Sequence, residues 1–178
     1  MPDFLPKTML DRGTFWTPVP DWTSARLHGD GWSARAVPDL HRVLVSGNLE
    51  AAVASLAPGA PSIGLWQIAE REIHALRIGR DRMLITSVEP LAANPGWNAD
   101  GYAVSLADDA YRTVEIQGPK LRELIAEMSF VDLEGRSPSA ATLVCGQPAL
   151  LHRTSPDCAR LHIEAPLATT IWHWLERR

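Results

Sequence analysis

Residues 114–128 constrain the fold more than any other stretch. Val114-Glu115-Ile116-Gln117 alternates as a strand does, Gly118-Pro119 stops it, and Leu121, Leu124, Ile125 and Met128 follow at i, i+3, i+4 and i+7. The period switches from about two to about 3.6 residues within one turn, so this is a complete strand–turn–helix unit whose helix turns one apolar face to a core. Pro119 suits the first helical position of a helix over 119–128, because its missing N–H is unpaired there anyway.

A paler copy lies upstream. Val43-Leu44-Val45-Ser46-Gly47-Asn48 runs into Leu49, Ala52, Val53 and Leu56, with Val45 answering Ile116 and Gly47 answering Gly118 at a constant offset of 71 residues. Later, Leu84 to Ala92 resembles Leu161 to Ala168, and Pro90 maps to Pro166 at an offset of 76. The order is preserved, so the chain reads as an internally doubled strand–helix module. Two α/β segments that share a hydrophobic pattern without shared ancestry are the alternative.

A chain of 178 residues with 46% apolar content can bury a core without a covalent staple. Its net charge of −4 comes from 17 basic and 21 acidic residues that are well interspersed, which leaves no basic stripe for phosphates and argues against nucleic acid as a partner. No run approaches the roughly 18 apolar residues that span a bilayer, and no signal-peptide pattern opens the chain. The expectation is a soluble cytoplasmic protein, with Cys145 and Cys158 as reduced thiols in a strand–turn–strand segment.

Four parts follow along the chain. Residues 1–31 form an extended arm rich in Trp and Pro, 32–92 the first half of the doubled domain, 93–101 a linker, and 102–178 the second half. In the arm, Pro2, Pro6, Pro18 and Pro20 interrupt regular structure while Phe15, Trp16 and Trp22 supply apolar surface. A Trp left in water forfeits about 2–3 kcal/mol of burial, so the arm covers either its own sheet or a neighbour.

Within the first half the pattern predicts strands at 34–37, 41–46, 73–78 and 82–88 and a helix at 49–56. The second half reads as strand 102–106, a turn at Asp108-Asp109, its hairpin partner 111–116, helix 119–128, strands near 141–144, 148–153 and 159–164, and a closing helix from Pro166. The fold class is α+β, with two antiparallel sheets and helices packed on one face of each.

Chemistry is sparse. The six histidines, at 28, 41, 74, 152, 162 and 173, lack zinc-site spacing, and His152 and His162 read as strand packing residues. Neither cysteine precedes a helix that would activate it, and no G-x-S-x-G elbow exists. Gly47 and Gly118 each precede a helix, which sketches an anion cradle, though turn geometry explains both. On the last helix Leu167, Ile171, Trp174 and Leu175 form one stripe, which leaves Trp172 outside. Large exposed aromatics favour interfaces, so Trp16, Trp22 and Trp172 are the candidate docking residues, with no catalytic, cofactor-binding or metal-binding residue expected.

The run Thr113 to Ile125, then Val131-Asp132-Leu133, Ala141-Thr142-Leu143 and Ile171 to Glu176, resembles the gamma subunits of heterotetrameric sarcosine oxidases over roughly residues 102–178. More broadly it resembles the folate-binding fold of glycine-cleavage aminomethyltransferases. The resemblance implies a non-catalytic accessory subunit that binds no cofactor itself. Alpha, beta and delta-type partners would hold FAD, FMN, NAD and tetrahydrofolate, oxidise sarcosine or a related N-methyl amino acid, and pass on the one-carbon unit. A stand-alone folate or pterin binder is the second reading, and a small enzyme with Cys145 or Cys158 as nucleophile the third.

Overall fold

The strand–turn–helix unit forms as β9 (Tyr111–Gln117) followed by α2 (Leu121–Met128), and its upstream copy as β3 (His41–Gly47) followed by α1 (Leu49–Leu56). The structure is a computed structural model that describes residues 18–178. Asn48 caps α1, its side-chain oxygen accepting from the Ala51 N–H at 3.3 Å. Helix α2 begins later than the pattern predicts. Pro119 stays in the turn, and the Lys120 N–H donates to the Gly31 carbonyl at 3.1 Å, so the helix starts at Leu121.

The other described strands are β1 (Arg26–Gly29), β2 (Trp32–Ala36), β4 (Ser62–Ile63), β5 (His74–Arg77), β6 (Arg82–Ser87), β7 (Gly96–Asn98), β8 (Tyr102–Leu106), β10 (Ala141–Val144), β11 (Gln147–Ser155) and β12 (Cys158–Glu164). Helix α3 (Ala165–Leu175) closes the chain. They form two six-stranded sheets, β1-β2-β9-β12-β11-β10 and β7-β8-β3-β6-β5-β4. Written in this direction the orders correspond: β9 and β3 each lead into a helix, each has a hairpin on one side, and each has an incoming later strand on the other. Every ladder is antiparallel except β4 with β5.

The hairpins are exchanged. The β1–β2 pair, early in the chain, joins the sheet of β9, and the β7–β8 pair joins the sheet of β3. Strand 102–106 is therefore not the hairpin partner of strand 111–116, contrary to the reading of the sequence. Its neighbours are β3 and β7, while β9 lies between β2 and β12 in the other sheet. The Asp108-Asp109 turn is a crossing between sheets: the Asp108 carboxylate accepts from the Arg42 N–H at 2.6 Å and buried Ala107 anchors the crossing.

Alternation along the strands then builds layers. Val43, Val45, Met83, Ile85, Tyr102 and Val104 meet Leu49 and Ala52 of α1. Val114, Ile116, Leu151, Leu161 and Ile163 meet Leu121 and Ile125 of α2 and Ile171 and Trp172 of α3. Leu44, Leu76, Leu84 and Leu150 fill the space between the sheets. Each sheet is thus covered by helix on one face and by the other sheet on the opposite face.

Gly47 and Gly118 hold corresponding places, at φ +106° and +139°. A Cβ on Gly47 would lie 2.5 Å from the Gly101 carbonyl oxygen, and one on Gly118 would fall on the Gly31 carbonyl oxygen, far inside contact distance. Backbone of the exchanged hairpin fills the space in both cases. Gly118→Ala should cost about 2–3 kcal/mol from overpacking plus backbone strain, read as a lowered denaturation midpoint. An unchanged midpoint would mean the hairpin does not press on this turn.

Candidate functional site

Between the sheets lies a polar seam. Arg42 of β3, His74 of β5 and Thr86 of β6 come from one sheet, and Thr113 of β9, His152 of β11 and His162 of β12 from the other. All six are buried. The strands place them there because their apolar alternates face the helices, which leaves the polar set facing inward.

The seam is a connected chain of groups. His74 Nδ1 donates to the Arg71 carbonyl at 3.0 Å, which leaves Nε2 to accept from the Thr86 hydroxyl at 3.0 Å. The His74 and His152 rings lie 4.8 Å apart, and His152 stacks on His162 at 5.2 Å with an interplanar angle of 13°. His162 Nδ1 shares a hydrogen bond with the Thr113 hydroxyl at 3.0 Å, and that hydroxyl accepts from Arg42 Nη2 at 2.8 Å. Both ring nitrogens of His152 and Nε2 of His162 have no partner among the described residues.

Burial holds all three imidazoles below their ordinary range, His152 and His162 well below it, with neighbouring rings and Arg160 adding repulsion. Burial also lowers the Arg42 guanidinium to about 10, against the pull of Asp108. Nitrogen lone pairs lie in the ring planes, so the stacked pair His152 and His162 cannot converge on one metal ion. The three rings are themselves buried, although Arg42 and Thr113 at one end of the seam also line a small cavity. The seam's chemistry is structural: neutral rings that fix how one sheet sits on the other.

A second polar group crosses three strands of the β9 sheet. Arg35, Glu115 and Arg160 stand opposite one another in register on β2, β9 and β12. Arg35 Nη2 lies 2.6 Å from Glu115 Oε1 and Arg160 Nε 2.8 Å from Oε2. Burial alone would raise the Glu115 carboxyl, but the hydrogen bonds from Arg160 and Arg35 outweigh it and the net shift is downward. This ladder ties the exchanged hairpin to its sheet.

The candidate docking residues fare differently from the expectation. Trp16 lies outside the described residues. Trp22 is half-buried and packs edge-on against Trp172, with ring centroids 5.6 Å apart. Trp172 is not left outside the stripe: it is only 2% exposed. The buried positions of α3 are Ala168, Ile171, Trp172 and Leu175, a stripe rotated from the expected one so that the Trp172 ring meets the β9 sheet and Trp22. Trp174 is half-buried beneath the Arg178 guanidinium, 4.5 Å from its ring centroid. Residues from Pro18 onward cover the chain's own last helix, the Pro18 carbonyl accepting from His173 Nε2 at 2.9 Å.

The thiols offer little nucleophilicity. Burial pushes Cys145 up to about 11, and burial likewise raises Cys158. Cys145 occupies a hairpin turn at φ +50°, between β10 and β11. The Gly31 backbone presses on the Gly118 turn, and its carbonyl takes the Lys120 N–H that an anion cradle there would need. No described helix is long and apolar enough to cross a membrane.

The sequence reading passed over Arg42, Thr113 and the Arg35–Glu115–Arg160 ladder. The signal was present in the strands, where polar residues alternate with apolar ones, but alternation is read as a solvated face unless a second sheet is known to cover it.

No protein-family model matches the sequence, and no curated protein matches it. Among solved structures, the chain is similar to one in the heterotetrameric sarcosine oxidase from Corynebacterium sp. U-96 in complex with pyrrole 2-carboxylate. The TM-score is 0.64 and the identity 18%, over 82% of each chain. The likeness is one of fold. It spans most of the chain rather than a single motif.

Proposed function

We propose that this chain is a gamma-type accessory subunit of a heterotetrameric, flavin-dependent oxidase or dehydrogenase acting on sarcosine or a related N-methyl amino acid. The observation that carries the reading is the shared fold over 82% of both chains with a component of a heterotetrameric sarcosine oxidase. The motif string from Thr113 to Glu176 points to the same family. A titratable set that is buried and neutral, and thiols held protonated, accord with a subunit that does no chemistry itself.

On this reading the partners are alpha, beta and delta-type subunits in the cytoplasm. They hold FAD, FMN, NAD and tetrahydrofolate, and they carry out the oxidative N-demethylation and one-carbon transfer. The chain contributes an internally duplicated body of the aminomethyltransferase folate-binding type as packing surface.

Co-expression with alpha, beta and delta-type subunits should yield one complex containing this chain in equimolar amount by size exclusion and mass measurement. A chain that elutes alone, with the other subunits assembled and active without it, overturns the proposal. Calorimetric heat from tetrahydrofolate on the isolated chain would instead favour a stand-alone folate or pterin binder.

A further inference from the structure

A concave feature of a different kind lies away from the seam. It is a cleft of about 440 Å³ between the 65–67 segment, the first turn of α2 and the 133–136 loop. That volume falls in the range of small-molecule sites. Its walls carry Arg122, Arg136 and Arg153 against one carboxylate, Glu134, in a chain whose net charge is −4.

The floor is rigid and strained. Trp66 has φ +59°, a region costly for a bulky side chain, and is held there from both sides. Its N–H donates to the Leu151 carbonyl at 3.3 Å, and its carbonyl accepts from Arg153 Nε at 2.9 Å. The Leu65 N–H donates to the Ser137 and Ser139 carbonyls, and a Cβ on Gly64 would strike the Ser137 oxygen. Two backbone segments are thus pressed together beneath the cleft.

This floor fixes Arg153. Its guanidinium lies 5.0 Å from the Trp66 ring centroid and its Nε is committed to the Trp66 carbonyl, so the two terminal amines remain for the cleft. Arg122 is paired with Glu134 at 2.5 Å. Arg136 has no hydrogen bond or ion pair among the described residues. Two guanidinium groups therefore stand unneutralised around one concavity, with Leu65 and Leu133 as apolar wall between polar ends. Stacked, pre-oriented arginine favours planar oxyanions such as carboxylate.

We propose that this cleft binds a small aliphatic dicarboxylate, one carboxylate on Arg153 and the other on Arg136. The inference does not depend on the chain being an oxidase subunit.

The test is calorimetric or NMR titration of the full chain with glutarate at constant ionic strength, alongside butyrate and inorganic phosphate. Saturable glutarate binding is expected in the millimolar range or tighter, with butyrate weaker by about tenfold or more. Arg136→Gln, on an exposed loop, should weaken glutarate by a similar factor without moving the thermal midpoint, and so should Arg153→Gln in whatever fraction stays folded. Arg26→Gln, outside the cleft, should change nothing. Absence of saturation at about 10 mM glutarate, phosphate binding tighter than glutarate, or equal losses in Arg26→Gln and Arg136→Gln would each overturn the proposal.

Discussion

Taking the protein from pH 7.5 to pH 5.5 should lower its stability steeply, and the loss should begin near pH 6.5. Burial holds His74, His152 and His162 below the ordinary imidazole value of 6.5, so below that pH the unfolded chain binds protons that the folded chain refuses. Unfolding is then favoured as pH falls, by on the order of 1 kcal/mol per pH unit for each ring that stays neutral in the fold. His152 and His162, the more strongly shifted, carry most of this. Glu115 acts in the same direction on a lower window: its stabilisation is present above its ordinary value of 4.5 and is lost as pH falls through the lowered one. Urea midpoints at pH 7.5, 6.5 and 5.5 separate the two, because only the histidines act in that interval. His152→Leu should flatten the dependence, and midpoints that do not move between pH 7.5 and 5.5 would show that the rings are not held neutral.

Trp172→Ala should destabilise the fold by about 3–5 kcal/mol, the cost of removing a large aromatic from a packed core. The ring is buried among the residues of the β9 sheet and the two helices on it, and Trp22 leans edge-on against it. Removal leaves a cavity and also takes away the ring against which Trp22 packs. Trp22→Ala should cost less, since that ring is only half-buried. A double substitution should then fall short of the summed single effects, because the two rings share one contact. Chemical denaturation of the three variants checks this, and a Trp172→Ala protein with a near-native midpoint would place the ring at the surface after all.

Much of the local structure was legible from residue pattern. Helix 49–56 and strands 102–106 and 141–144 have the bounds read from their spacing, since clear alternation or heptad-like spacing is bounded there by Gly, Asn or Asp. Strands β1, β4 and β7 were not read, because they are two to four residues long and sit among Pro and Gly. The pairing of β8 failed for another reason. Neighbouring strands usually pair, so sequence proximity pointed to 111–116, whereas the chain crosses between sheets at Ala107. A clue stood in the residues: Asp30-Gly31-Trp32 and Asp100-Gly101-Tyr102 repeat at an offset of 70, and both glycine carbonyls receive the N–H that follows the turn glycine. The histidine seam was invisible for a physical reason. His152 and His162, 10 positions apart, meet through the pairing of β11 with β12, and His74, 78 positions before His152, joins them only when one sheet is laid on the other.

The exchange of hairpins also sets the order of assembly during synthesis. Strand β12, which lies between β9 and β11, is the last of the described strands to be made, so the sheet containing β1 and β2 must wait until synthesis has passed residue 164. The sheet of β3 likewise waits for β8, more than half-way along the chain. Nascent edges stay unpaired throughout that interval, and non-local pairing of this kind folds slowly. Shortening the chain from its C-terminal side by even the final strand and helix would therefore remove a central partner rather than an ornament, and the truncated product should collect in inclusion bodies.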